Sequence, residues 1–209
     1  AREFDRATDY FLLAARDAGV RRVVFSSSSS IYGTKAELPV REDVAPDPIS
    51  PYGVAKLAAE RYCVSFSRVY DSLETVVLRY FNVFGPRQDP QGAYAAVIPR
   101  FAAAMLQQTA VTIHGDGETS RDFCYVDNVV QANLLSATVQ ASAAVGQVYN
   151  VAVGDTTTLN ELHAALRTLL SDRVEGFRPA PAVYRDFRPG DVCFSLADYR
   201  YSGPHDEQE

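Results

Sequence analysis

The sequence predicts an α/β domain built on a parallel sheet. Short apolar runs at 23–25, 75–81 and 148–152 have the length and β-branched content of strands buried in such a sheet. Helical patterns of about 10–15 residues separate them. Gly- and Pro-bearing polar stretches mark the joins. Strands alternating with helices in this way define an α/β layer architecture. In open sheets of this kind ligands lie beyond the carboxyl ends of the strands. The residues that directly follow each run are therefore the first candidates for a site.

Each element can be argued in order. Residues 4–18 carry a helical pattern that sets Phe4, Ala7, Phe11, Leu12, Ala15 and Ala18 on one side, and Gly19 stops it. Val23-Val24-Phe25 leads straight into five serines at 26–30, and residues 33–50 form a polar loop with prolines. Ser50 suits an N-cap and Pro51 the first position of a helix running to about residue 70. The strand at 75–81 is broken by Gly85-Pro86. Residues 94–107 read as a helix, and 111–113 as a short strand ending in Gly115-Asp116-Gly117. Asp127 is the expected N-cap of a helix through about residue 138. After the run at 148–152, Thr158 or Asn160 caps a helix near 159–170, and the stretch from Val174 is mixed and rich in Pro and Arg.

Composition narrows the function classes. A chain of 209 residues suits one domain, or one plus a small lobe. Its 47% hydrophobic and 22% charged residues are ordinary globular usage. Twenty Lys and Arg against 26 Asp and Glu give a net charge of −6, which argues against non-specific nucleic-acid binding. An anionic ligand must then be met by locally placed arginines. Three scattered cysteines include no C-x-x-C, and no histidine has H-E-x-x-H spacing, so no metal is expected. No apolar run approaches the roughly 18 residues of a membrane span, and no signal-peptide pattern opens the chain. The expectation is a soluble, cytoplasmic protein with reduced thiols and no membrane or nucleic-acid partner.

Tyr52 and Lys56 lie four apart on the second predicted helix, hence on one face. A phenol is a poor base at neutral pH, but a nearby ammonium favours the phenolate. Such a pair can move a proton to or from a hydroxyl. Taken alone it is equally an ordinary helix-surface pair. Context strengthens the chemical reading: a strand ending in serines and Tyr32-Gly33 lies upstream, and Arg79-Tyr80-Phe81-Asn82 lies downstream.

These stretches resemble a known family. VVFSSSSSIYG (23–33), SPYGVAK (50–56), LRYFNVFGPRQ (78–88), GDGETSRDFCYVDN (115–128), VYNVAVG (148–154) and RPGDVCFSLAD (188–198) are similar to the extended short-chain dehydrogenase/reductases. Within these the likeness is to nucleotide-sugar 4-epimerases, and QDPQGAYAAVIPR (88–100) resembles UDP-N-acetylglucosamine 4-epimerases. The resemblance implies a Rossmann-like sheet with a smaller C-terminal substrate-binding lobe. It implies NAD-dependent C4 epimerisation of a UDP-sugar, UDP-GlcNAc/UDP-GalNAc, by transient oxidation to a 4-keto intermediate. In that scheme Tyr52 takes the proton of the sugar 4-hydroxyl. Lys56 assists it and binds the nicotinamide ribose, and Tyr80 joins them beside the cofactor. Ser28, four positions before Tyr32-Gly33, supplies the second hydroxyl, a role Ser29 shares. Asn82 and Arg121 match residues at the substrate diphosphate, and Arg188 and Asp191 match residues at the diphosphate and ribose. Taken singly, each arginine is as readily a surface charge. Ser195, four after Asp191, occupies a gate beside the sugar C2 substituent, where a small residue leaves room for an N-acetyl group. A homodimer is the expected assembly.

The pattern also departs from the family. The Gly-x-x-Gly-x-x-Gly that cradles pyrophosphate is absent from the 209 residues, and so is the acidic residue that follows it. The expectation is a fragment or truncated product in which the first strands are missing. It assigns 1–85 to a partial NAD-binding domain with the catalytic residues and 86–198 mainly to the substrate lobe. Residues 127–154 return to the sheet, and 199–209 form a tail. Two alternatives stand beside the epimerase. One is a non-catalytic fragment that binds a sugar nucleotide or a partner. The other is a nucleotide-sugar dehydratase or decarboxylase, although relatives of that kind carry a carboxylate where Ser29-Ser30 stand here.

Overall fold

The structure is a computed structural model that describes residues 2–34, 36–92, 96–187 and 194–198. In chain order, α1 (Arg2–Asp17) leads to β1 (Arg22–Ser28), a 3-10 turn (Ser29–Tyr32) and α2 (Pro51–Val69). β2 (Glu74–Tyr80), β3 (Val83–Phe84), α3 (Val97–Leu106), β4 (Thr112–His114), β5 (Ser120–Arg121) and β6 (Cys124–Tyr125) follow. Then come α4 (Val126–Thr138), β7 (Val148–Val151), β8 (Thr157–Thr158), α5 (Leu159–Ser171) and β9 (Val183–Arg185).

β1, β2 and β7 form a parallel sheet in that order. Side chains alternate across a strand, and β2 shows where each face packs. Val77 joins Leu12, Cys63, Val64 and Phe66 of α1 and α2. Val76 and Leu78 turn the other way and join Val129 of α4. The sheet is thus covered by helices on both faces, as an apolar central strand requires. A second cluster, away from the sheet, gathers Phe101, Met105, Val111, Ile113 and Leu162 from α3, β4 and α5. Among the described residues no helix is long and apolar enough to cross a membrane.

Several expectations need correction. β1 was expected buried but is mostly half-buried, because among the described residues it pairs with β2 alone and forms an edge. On α1, among the residues whose side chains are described (7–17), the buried ones are Leu12 and Ala15, and Phe11 is 60% exposed, since the helix turns only a narrow stripe toward α2; the Phe4 side chain lies outside that description. Asp127 does not cap α4. Tyr125 holds the N-cap position without a side-chain bond, and Asp127 lies in the first turn, where its charge suits the helix dipole. Thr158, not Asn160, caps α5, in a capping box with Glu161. The mixed stretch contains β9, which pairs in parallel with β4.

Candidate active site

Parallel pairing brings the strand ends level. Ser28 stands opposite Tyr80, and Tyr80 opposite Val151. The chain leaves β1 through the serine turn, and Gly33 ends that turn with φ +71°, a backbone conformation suited to glycine. α2 then starts against the same turn. A Cβ on Gly53 would lie 2.8 Å from the Ser30 carbonyl oxygen, so only glycine lets the residue after Tyr52 approach this closely. Ser50 Oγ accepts from the Gly53 N–H at 3.0 Å and fixes the start of the helix.

A cleft of about 800 Å³ opens at this edge. Ser28, Ser29, Tyr52, Tyr80, Asn82, Arg121 and Ser195 all line it. A second cavity of about 540 Å³ lies between α3 and β4, and Asn82, Val83 and Arg121 line both. Seven of the residues singled out in the sequence therefore share one space. Arg188 and Asp191 lie outside the described residues.

Lys56 lies behind Tyr52. Its Nζ donates to the Ser26 carbonyl at 2.9 Å and is 5.7 Å from the centre of the Tyr52 ring. Half-burial strips water from the ammonium and lowers its pKa. Tyr52 itself is 54% exposed toward the cleft, so a ligand can reach it. Ser28 Oγ accepts from the Ser30 N–H at 3.2 Å. That bond uses a lone pair, and the hydroxyl proton can still be given to a ligand oxygen. Tyr80 lines the cleft with its hydroxyl anchored: Asn133 Nδ2 donates to it at 2.8 Å and Ser26 Oγ is 3.0 Å away. Asn82 Nδ2 donates to the Asp122 carbonyl at 3.0 Å and to Ser195 Oγ at 2.9 Å. Arg121 Nη1 donates to the Ser120 carbonyl at 3.3 Å.

Sequence reasoning missed the residues beneath the cleft. Glu60 is fully buried and Arg79 is 2% exposed. Arg79 Nη2 and Nε reach the two Glu60 oxygens at 2.6 and 3.1 Å, a bidentate pair. Ser27 Oγ donates to Glu60 at 2.9 Å, and Arg79 Nη1 donates to the Tyr32 hydroxyl at 2.7 Å. Tyr32 in turn donates to Asn150 Oδ1 at 2.7 Å. Burial pushes the Tyr32 phenol up to about 12, against the opposing pull of Arg79. This network ties α2, β1, β2 and β7 together. Its signals were present in the sequence: a charged residue inside an apolar strand, and a glutamate four beyond Lys56 on the face that carries Tyr52.

A helix-covered parallel sheet with this cleft at its carboxyl edge is a Rossmann-like nucleotide-binding architecture. The chain belongs to the NAD dependent epimerase/dehydratase family, whose model matches residues 6–152. A UDP-glucose 4-epimerase of Mycolicibacterium smegmatis is 42% identical over 154 residues, 73% of this chain and 48% of that protein. The UDP-N-acetylglucosamine 4-epimerase of Methanobrevibacter ruminantium, solved with UDP-N-acetylmuramic acid, is 41% identical with a TM-score of 0.84; the match covers 93% of this chain and 59% of that one. MoeE5, solved with UDP-glucuronic acid and NAD, is 40% identical with a TM-score of 0.81, covering 93% of this chain and 61% of that one. The chain spans about half the length of the curated relatives it matches.

Proposed function

We propose that the protein carrying this chain interconverts a UDP-sugar and its C4 epimer, with UDP-GlcNAc and UDP-GalNAc as the preferred pair. One observation carries the reading: Ser28 and Tyr52 line the same cleft as Asn82, Arg121 and Ser195, with the Lys56 ammonium beside Tyr52. A proton-moving pair and a guanidinium with amide and hydroxyl groups around one cleft suit a polar sugar joined to a diphosphate. Tyr52 holds and returns the proton of the sugar 4-hydroxyl, and Ser28 donates to the same oxygen. Lys56 favours the phenolate. Arg121 and Asn82 meet the diphosphate, with Arg188 and Asp191 assigned by motif alone. Ser29 flanks Ser28. Ser195 leaves volume beside C2 for an acetamide.

NAD, when bound, supplies reversible hydride exchange at C4. The residues present fit its nicotinamide and ribose half: Tyr52, Lys56 and Tyr80 cluster at the strand ends, where a ribose hydroxyl can meet Lys56. The division into 1–85 and 86–198, with 127–154 in the sheet, belongs to this proposal. So does a reducing, cytoplasmic location, which the buried free thiols Cys63 and Cys124 support. The dehydratase and decarboxylase reading is disfavoured by Ser29 and Ser30, which bring no carboxylate to the cleft wall.

The test is NMR of UDP-GlcNAc incubated with NAD and the full-length protein. UDP-GalNAc should accumulate to equilibrium without net NADH. A 4-keto-6-deoxy product, loss of carbon dioxide from a uronic-acid analogue, or no conversion of either UDP-hexose overturns the reading.

A further inference from the structure

We propose that Asp122 is a positioning residue that sets which sugar the cleft accepts, by clamping the 194–198 segment to the loop after β7. The proposal rests on the UDP-sugar reading above.

Asp122 follows Arg121 at the end of β5 and is fully buried. Among the described residues its carboxylate meets backbone donors: Oδ1 accepts from the Val153 N–H at 2.9 Å, and Oδ2 accepts from Gly154 at 3.0 Å and Ala197 at 3.3 Å. Those donors come from two stretches more than 40 positions apart in the chain. Bonds from a carboxylate to backbone N–H groups are charge-assisted and roughly twice as strong as neutral ones. The backbone of Asp122 reaches the same region. Its N–H lies 3.4 Å from Ser195 Oγ, and its carbonyl accepts from Asn82 Nδ2.

The segment it holds is tied at other positions as well. Val40 exchanges bonds with Leu196 and Asp198, and Ser195 N–H donates to the Ser120 carbonyl at 3.2 Å. Of its residues only Ala197 is buried. Yet this segment supplies Phe194 and Ser195 to the cleft wall. Displacement on the order of 1 Å there alters the room beside the sugar and the reach of Asn82, a scale at which misplacement is costly. Tyr52 and Lys56 are held by Ser50, Ser26 and the helix itself, and none of those contacts involves Asp122. Loss of the clamp therefore falls on sugar discrimination.

The experiment measures dissociation constants of UDP-GlcNAc and UDP-glucose by calorimetry. It uses the NAD-loaded full-length protein and its Asp122→Asn variant. An asparagine keeps the volume but puts an amide N–H against a backbone donor. The ratio of the two constants should change threefold or more. A purely structural residue would lower the melting temperature and leave the ratio within that limit, which overturns the inference alone. Failure of the wild type to bind either sugar nucleotide overturns the UDP-sugar reading and the inference with it. If the variant does not fold, amide hydrogen exchange on the wild type decides. The Val153, Gly154 and Ala197 amides should be protected as a set, and an Ala197 amide exchanging like an open loop overturns the clamp.

Discussion

At the scale of single residues, Tyr52 is a helix-start side chain that remains reachable because Gly53 lets the backbone sit against the serine turn. Removing its hydroxyl leaves that packing intact. Tyr52→Phe in the full-length protein should lower turnover by about 10²–10⁴, the usual weight of one acid-base group. Near-normal turnover in a steady-state assay would remove Tyr52 from the chemistry. Ser195 has a small side chain whose oxygen accepts from Asn82, so its size and its bond both bear on the sugar. Ser195→Tyr adds a ring to the cleft wall and should shift the kcat/KM ratio toward UDP-glucose and UDP-galactose by excluding the acetamide. Equal ratios before and after the change would show that Ser195 is not the gate.

At the scale of elements, α2 is held to the sheet by a buried ion pair as well as by apolar contact. Glu60 and Arg79 satisfy each other, and their remaining polar atoms bond Ser27, Tyr32 and the Glu42 carbonyl. A buried pair contributes little net stability when whole, but losing one partner strands a charge. Glu60→Gln should cost about 3–5 kcal/mol of unfolding free energy, read from urea titration. The double change Glu60→Leu with Arg79→Met should recover most of it, because it leaves no charge in the interior. If the single variant is as stable as wild type, the pair does not hold α2 in place.

At the scale of the whole molecule, alkaline pH should loosen the fold in a defined window. Burial, with Glu60 adding to it, pushes the Cys63 thiol from 9.0 up to about 12. Unfolded chains release that proton near pH 9, whereas the folded chain holds it to about 12. Stability from this group is therefore complete below pH 9 and falls as pH rises toward 12, by on the order of 1 kcal/mol per pH unit. Cys63→Val should flatten the decline in urea midpoints between pH 9 and 12; an unchanged slope would assign the loss to other groups, Tyr32 among them. The 209-residue chain contains no glycine-rich turn to present a helix N-terminus to pyrophosphate. Calorimetry with this chain alone should find NAD binding weak or absent, and micromolar affinity would contradict that expectation.

The amino-acid order by itself determined the parallel α/β pattern, because buried strands and amphipathic helices have different periods that can be read locally. It also determined the start of α2, because Ser50 and Pro51 are local signals, and the candidate acid-base pair, because Tyr52 and Lys56 share one helix. Only the tertiary structure decided what those residues face. Arg79 could be read as a charge in a strand, but Glu60, its partner, lies 19 positions away on another element. Asp122 looked like one letter of a motif until folding set Val153, Gly154 and Ala197 around its carboxylate. Asp127 looked like a cap and is not one, because the backbone enters α4 two residues earlier than its side chain suggested. Caps and periods depend on neighbours in sequence, whereas ion pairs and clamps depend on neighbours in space. Chain order does not determine the latter until the sheet has brought them together.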